Sequence, residues 1–184
     1  MVLTKTPICN FGEKPHSFNL KAVDNNFYKL EDCIGKNGTL IMFICNHCPY
    51  VKAVIKDIVN DASSLKSQGV ETVAIMSNDT KNYPDDSFDK MVEFSKVNKF
   101  NFPYLIDETQ EIAKKYGAVC TPDFFGYNNK LELQYRGRIR ELKDLKPISA
   151  NSSDLLVAMK MIVNTGKGPK EQIPSMGCNI KWFK

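Results

Sequence analysis

Apolar positions along the chain repeat with two different periods, and the change of period marks where strands give way to helices. In SFNLKAVDNNFYKL, residues 17–30, two short alternating runs flank Asp24, Asn25 and Asn26, which predicts a hairpin. TLIMFI, Thr39 to Ile44, is a continuous apolar run of strand length, as expected of a strand buried on both faces. After Pro49 the spacing becomes helical. Val51, Val54, Ile55, Ile58, Ala62 and Leu65 form one stripe, with Lys52, Lys56, Asp57 and Asp61 between them. Pro49 suits a first helical position, where its missing N–H costs nothing, and Gly69 ends the helix. VETVAIMS, residues 70–77, is the next strand.

The second half continues the alternation. Asp86 is positioned to cap a helix carrying Phe88, Met91, Phe94 and Val97. FPYLID is a short strand, and Thr109 to Tyr116 a short helix closed by Gly117. DFFGYN and LELQYRG read as a hairpin turning through Asn128, Asn129 and Lys130. Ser152 or Ser153 caps a last helix bearing Leu155, Leu156, Met159, Ile162 and Val163. Gly166, Gly168, Pro169 and Pro174 then predict an irregular tail. Alternating strands and helices point to an α/β sandwich around a mostly parallel sheet. At 184 residues, one domain is expected, with its core over about 11–165 and a tail over 166–184.

Composition narrows the function. The net charge of +4, from 25 basic against 21 acidic residues, lacks the clustered basic stripe of a nucleic-acid binder. The beginning of the chain has no apolar core of signal-peptide length. The longest apolar run, Leu40 to Cys45, is too short to span a bilayer, so a cytoplasmic protein without a membrane segment is expected. Six cysteines in such a setting suggest catalytic, metal-binding or buried thiols rather than a disulfide framework.

The chemistry concentrates in CNHCPYVKA, residues 45–53. Cys45 and Cys48 fall where a buried strand ends and a helix begins. A helix N-terminus offers unpaired N–H groups and a positive dipole end, both of which stabilise a thiolate. The thiolate is the nucleophile, and the two-residue spacer lets one sulfur attack the other. His47 adds a tunable positive charge between them, and Asn46 reads as a helix cap. Three readings compete: a redox pair, half of a zinc site, and packing. For a metal, Cys45, His47, Cys48 and perhaps Cys120 could supply soft ligands, but the second close pair of a structural zinc site is missing, so no metal is expected. Downstream, Thr121-Pro122 precedes a strand; this bond could be cis, or trans at the end of a turn.

CxxC after a buried strand, a Thr-Pro loop before a hairpin and a closing helix resemble the thioredoxin fold. The added helix and strand over Phe88 to Ile106, the N-terminal hairpin and the SND after the second core strand are similar to the peroxiredoxin-type (AhpC/TSA) branch. NHCPYVKA together with the terminal GCNIKW is most similar to the peroxiredoxin-like group of thioredoxin-fold proteins, and the likeness runs from about Phe11 to Trp182. It implies a thioredoxin-like sandwich with a mixed central sheet flanked by helices. It also implies roles. In thioredoxins the first cysteine of CxxC attacks and the second resolves, which gives Cys45 and Cys48 those parts, with Thr121 and Pro122 as a facing wall that offers backbone groups to an extended substrate. In peroxiredoxins the peroxide-reacting cysteine starts the helix and precedes proline, as Cys48-Pro49 does. That pattern also wants Thr or Ser three residues earlier and proline seven earlier, where this chain has Cys45 and Ile41. Arg136, Arg138 and Arg140 do not fall where the peroxiredoxin arginine does.

Cys178, in MGCNIKW, could swing from a mobile tail to resolve an intermediate, or could fill space in a tail docked by Ile180 and Trp182. Cys120 should lie near the pair as a packing residue, while Cys9 and Cys33 carry no motif. The leading expectation is a thiol–disulfide oxidoreductase acting on protein or small-molecule disulfides. It would need an external thiol reductant and no cofactor. A thiol peroxidase with Cys48 reacting and Cys45 or Cys178 resolving is the second expectation, and a non-catalytic metal-binding or interaction module the third.

Overall fold

Residues 3–148 and 153–184 are described by the structure, a computed structural model. In chain order the elements are β1 (Leu3–Lys5), β2 (Asn19–Ala22), β3 (Phe27–Lys29), β4 (Gly38–Phe43), α1 (Pro49–Lys66), β5 (Val70–Met76), α2 (Phe88–Val97), β6 (Tyr104–Ile106) and α3 (Glu111–Lys115). There follow β7 (Cys120–Thr121), β8 (Asp123–Asn128), β9 (Leu133–Tyr135), β10 (Leu142–Lys143), β11 (Lys146–Pro147), α4 (Asp154–Thr165) and β12 (Met176–Asn179). The main sheet has the order β3-β2-β6-β5-β4-β8-β9. It is a mixed sheet: only β4–β5 and β5–β6 are parallel. The alternation of strands and helices therefore overstates the parallel share, because the N-terminal hairpin and the β8–β9 hairpin flank a short parallel centre.

The apolar run at 39–44 lies in and just beyond β4, an interior strand between β5 and β8, and both of its faces are covered. Leu40, Met42 and Ile44 pack with Ala74, Met76, Tyr104 and Phe124 beneath α1 and α4. Ile41 and Phe43 pack on the opposite side with Val73, Ile75, Leu105, Phe125 and Tyr127, where α3 supplies Ile112 and Ala113. Period-two alternation sends successive side chains to opposite cores. Each such fully buried aliphatic side chain contributes about 1.5–3 kcal/mol relative to exposure. No helix among the described residues is long and apolar enough to cross a membrane.

Several local expectations are refined. Ser87, not Asp86, is the N-cap of α2, and Val97 at its far end is 73% exposed. Ser153 caps α4, its Oγ accepting from the Leu156 N–H at 2.8 Å, while Ser152 lies outside the described residues.

The largest departure is the C-terminal segment. Of the two alternatives for the tail the structure shows the docked one, but through a strand rather than irregular chain: it is anchored by β12, the middle strand of a second sheet, β1-β12-β7. Cys178 pairs with Leu3 on one side and with Thr121 on the other. Beyond the strand, Ile180 is buried and its N–H donates to the Val119 carbonyl. The Lys181 N–H donates to Asn78 Oδ1 at 2.8 Å, and the Phe183 N–H to Gln110 Oε1 at 2.8 Å. Trp182 contributes less than Ile180 to this docking, being 36% exposed, with the Lys114 ammonium 5.7 Å from its ring. Backbone hydrogen bonds to two separated strands hold the segment, and neither is visible in its local sequence.

Candidate active site

β4 delivers Cys45 to the rim of the sheet, and the next residues turn into α1. Cys48 is the N-cap of that helix and Pro49 its first residue; the Lys52 N–H closes the first turn on the Cys48 carbonyl at 3.0 Å. Proline there fixes φ without removing a needed donor. Across from the turn, the Thr121–Pro122 bond is cis. Thr121 meets both sulfurs: its Oγ1 is 3.3 Å from Cys45 Sγ, and its carbonyl oxygen is 3.2 Å from Cys48 Sγ, an acceptor for that sulfur whenever it carries a proton. Both cysteines are fully buried.

The two sulfurs are hydrogen-bonded to each other and differ in charge. That bond is the main influence lowering the Cys48 pKa to about 5, assisted by the backbone N–H groups of Val51 and Cys178 and by the Thr121 side chain, against the cost of burial. Cys45 is pushed well above its ordinary value, first by the same bond, then by burial and by the Asp86 carboxylate. The two shifts run in opposite directions, and the sulfur held lower is the one at the helix N-terminus.

Beneath the spacer lies a group that the sequence reading placed elsewhere. Asp86, in a short 3₁₀ turn over Pro84–Asp86, is fully buried and organises the loop. Its Oδ1 accepts from the Asn46 N–H at 2.8 Å and the His47 N–H at 3.3 Å. Its Oδ2 accepts from Asn78 Nδ2 at 2.7 Å and lies 2.6 Å from His47 Nδ1. Burial opposes the charge on Asp86, but the hydrogen bonds from His47, Asn78 and Asn46 outweigh it and hold the carboxyl below its ordinary value. In return the Asp86 hydrogen bond raises the His47 pKa. His47 is therefore no solvated loop histidine; it also stacks on Tyr83, 5.9 Å between centroids and 9° between planes. Asn46 does not cap α1. Its side chain donates to the Asp85 carbonyl at 3.1 Å and accepts from the buried Tyr104 hydroxyl at 2.9 Å. The SND stretch was the available sign of Asn78, but nothing local in the sequence ties Asp86 to the loop.

Of the metal ligands suggested by the sequence, Cys45 and His47 come together, joined by Asp86, with ligand atoms within 4.8 Å of one another. Both oxygens of Asp86 are already committed to N–H donors there.

The other cysteines differ from this pair. Cys178 is brought to Cys48, its thiol and its N–H both hydrogen-bonded to that sulfur; burial and the Cys48 contact push its pKa up to about 12. Cys120 is buried beside Thr121, and burial raises its pKa. Burial also raises Cys33 to about 12 and Cys9 to about 11. Arg136 is engaged by groups other than the sulfurs. It is paired with the fully buried Asp123 at 2.9 Å, donates to the Gly117 carbonyl at 2.7 Å and lies 4.4 Å over the Phe125 ring.

The wall expected to offer backbone groups to a substrate is already occupied. Cys178 pairs with Thr121 and Asn179 with Cys120, so β12 fills the edge beside the cis proline.

A central mixed sheet flanked by helices, with a CxxC turn facing a cis proline, defines a thioredoxin-like protein. Residues 11–142 match the AhpC/TSA family, and the chain belongs to that family. Over its full length it is similar to an uncharacterized conserved protein from Geobacillus kaustophilus, with 39% identity, 97% of that chain covered and a TM-score of 0.94. A hypothetical protein from Sinorhizobium meliloti 1021 is 32% identical, with 98% of each chain covered and a TM-score of 0.90. A thiol:disulfide interchange protein, thioredoxin family, from Chlorobium tepidum TLS shares the fold at 17% identity, with 83% of this chain and 97% of that one covered and a TM-score of 0.63. Among curated proteins, the ribosomal protein uS12 methylthiotransferase RimO of Clostridioides difficile (strain 630) is 25% identical over 146 residues. That match takes in 65% of this chain, which spans about a third of the relative's length.

Proposed function

We propose that the protein is a thiol–disulfide oxidoreductase working through a Cys45–Cys48 dithiol and disulfide. The observation that carries this reading is the buried Cys45–Cys48 pair at the start of α1, with Thr121 of the facing loop within 3.3 Å of Cys45 Sγ and 3.2 Å of Cys48 Sγ. The lowered pKa of Cys48, at the N-cap of α1, supports the reverse of the thioredoxin order of attack. The Cys48 thiolate attacks a substrate disulfide, forms a mixed disulfide and releases one thiolate, which takes the Cys45 proton. Cys45 then attacks the Cys48 sulfur, and the second substrate thiolate leaves. Two electrons pass from the dithiol to the substrate. Asp86 fixes the spacer by binding the Asn46 and His47 N–H groups, and Thr121 contacts both sulfurs. An external thiol restores the dithiol, which suits a reducing compartment such as the cytoplasm.

One observation favours a second reading, peroxide reduction. Cys48, whose pKa is lowered, stands at the position that peroxiredoxins use, and Pro49 follows it. Against this, Arg136 is engaged by Asp123 rather than facing Cys48.

Reduced protein is to be challenged separately with oxidised glutathione and with hydrogen peroxide, and the bonds formed mapped. Closure of Cys45–Cys48 by the disulfide, with peroxide consumed no faster than by an ordinary thiol, is the expected result. Rapid peroxide consumption with Cys48 oxidised first would replace this reading with the peroxidase one.

A further inference from the structure

Cys178 is not needed for the two-cysteine cycle, yet its placement is elaborate. β12 lies antiparallel against β7 with Cys178 opposite Thr121, the residue that contacts both active sulfurs. β1 locks its other edge through Leu3–Cys178, Thr4–Gly177 and Lys5–Met176. The Ser175 hydroxyl donates to the Pro122 carbonyl at 2.7 Å, fixing the start of the strand against the cis proline. Gly177 permits the approach: a Cβ there would fall 1.9 Å from the Thr121 carbonyl oxygen. The result is an extended segment at the edge beside Pro122 with a thiol on the Cys48 sulfur. This is the arrangement a peptide substrate needs when it binds by strand addition.

We propose that β12 is a built-in substrate strand and that Cys178 is a third redox thiol, exchanging with the Cys45–Cys48 disulfide to form a Cys48–Cys178 bond. The inference rests on the oxidoreductase reading above. The step is an exchange with no net electron transfer. The Cys178 sulfur bonds to Cys48 Sγ, the Cys45–Cys48 bond breaks, and Cys45 leaves as a thiolate that takes up the proton Cys178 gives. Part of what holds the Cys178 proton is the neighbouring Cys48 thiolate; once Cys48 is tied in a disulfide, that influence is gone and Cys178 ionises more readily. A second consequence concerns access. With β12 in place both active sulfurs are fully buried, so an extended substrate reaches Cys48 only by displacing β12 from β7. The external substrates are then cysteine-bearing strands that compete with Met176–Asn179 for one edge.

The test uses the full chain with Cys45→Ser, with Cys45→Ala as a second variant should serine disturb the fold. The protein is equilibrated with excess oxidised glutathione and read by intact mass and peptide mapping. Formation of the glutathione adduct on Cys48 and its resolution by Cys178 predict a product lighter by two hydrogens, with a Cys48–Cys178 peptide and no retained glutathione. Cys45→Ser combined with Cys178→Ser is expected to keep the adduct. A stable adduct in the single variant would overturn the role of Cys178, as would unmodified Cys48 and Cys178. Wild-type protein treated alongside separates the two failures. If it closes Cys45–Cys48, only the third thiol is lost; if it too stays reduced, the oxidoreductase reading falls with it.

Discussion

Two backbone segments meet over one sulfur, and they are built in opposite ways. The Cys45–Cys48 turn is held locally, by the first turn of α1, by Pro49 and by one carboxylate, Asp86. The Met176–Asn179 strand is held entirely by distant partners, β1 on one edge and β7 on the other. The first places the Cys48 sulfur at a helix N-terminus. The second brings the Cys178 thiol and its backbone N–H to that sulfur. Cys45 and Cys48 are equally buried, yet their pKa values move in opposite directions. Burial alone therefore does not decide the chemistry; the donors aimed at each sulfur do.

The sharpest way to break this pairing is Cys48→Ser. It removes the one cysteine whose pKa is lowered, so under the proposed mechanism disulfide exchange should fall by on the order of a thousandfold or more, as loss of an attacking nucleophile does. Initial rates with a small disulfide measure this; a loss below tenfold would mean that Cys45 attacks. Gly177→Val addresses the strand instead. The added side chain meets the Thr121 carbonyl and forces β12 off its edge, at a cost of about 1–3 kcal/mol for an overpacked contact. Denaturant melts should report that loss, while alkylation of Cys48 should become faster because its cover is gone. Slower alkylation would show that β12 holds the turn together rather than covering it.

The same contrast explains what was legible in the sequence. The CxxC turn, the long stripe of α1 and the two hairpins are local patterns, and each appears in the structure near its expected position. Thr121-Pro122 was recognisable as the facing loop because strand, proline and hairpin follow one another in sequence. Asp86 was not recognisable as a site residue. Its position two residues before α2 is also that of a helix cap, and only folding brings it under residues 46 and 47. β12 was hidden for a similar reason: MGCN has no alternation to betray a strand, and its stability comes from pairing with residues 3–5 and 120–121. Val97 shows the opposite error, since a position continuing the helical stripe of α2 ends up exposed at its last residue.

A pH titration sharpens the contrast between the sulfurs. The folded-state pKa of Cys48 lies at about 5, below the ordinary thiol value of 9.0. Its contribution to stability is therefore fully present above pH 9 and is lost as the pH falls towards 5. Cys45 and Cys178 are raised, so their contributions are constant below pH 9 and decline only above it. The stability of reduced wild-type protein minus that of Cys48→Ser should therefore rise steadily from pH 5 to pH 9. A flat difference across that window would place the anion elsewhere.

The smallest effect is expected from Asp86→Asn, which separates shaping the loop from doing chemistry. The carboxylate accepts from two backbone N–H groups, from Asn78 and from His47. An amide keeps one acceptor oxygen and turns an NH₂ towards the remaining donors, which costs about 1–3 kcal/mol for unsatisfied buried groups. His47, whose pKa is raised chiefly by the Asp86 hydrogen bond, should titrate at a lower pH in the variant, measurable by following its ring protons in NMR. The exchange rate at neutral pH should change by less than about tenfold, because the groups that lower the Cys48 pKa (Cys45, the Val51 and Cys178 N–H groups and the Thr121 side chain) all remain. A larger loss, with His47 shifted and the fold intact, would mean that the charge on His47 takes part in the attack, and the division between a local scaffold and a reacting sulfur would have to be redrawn.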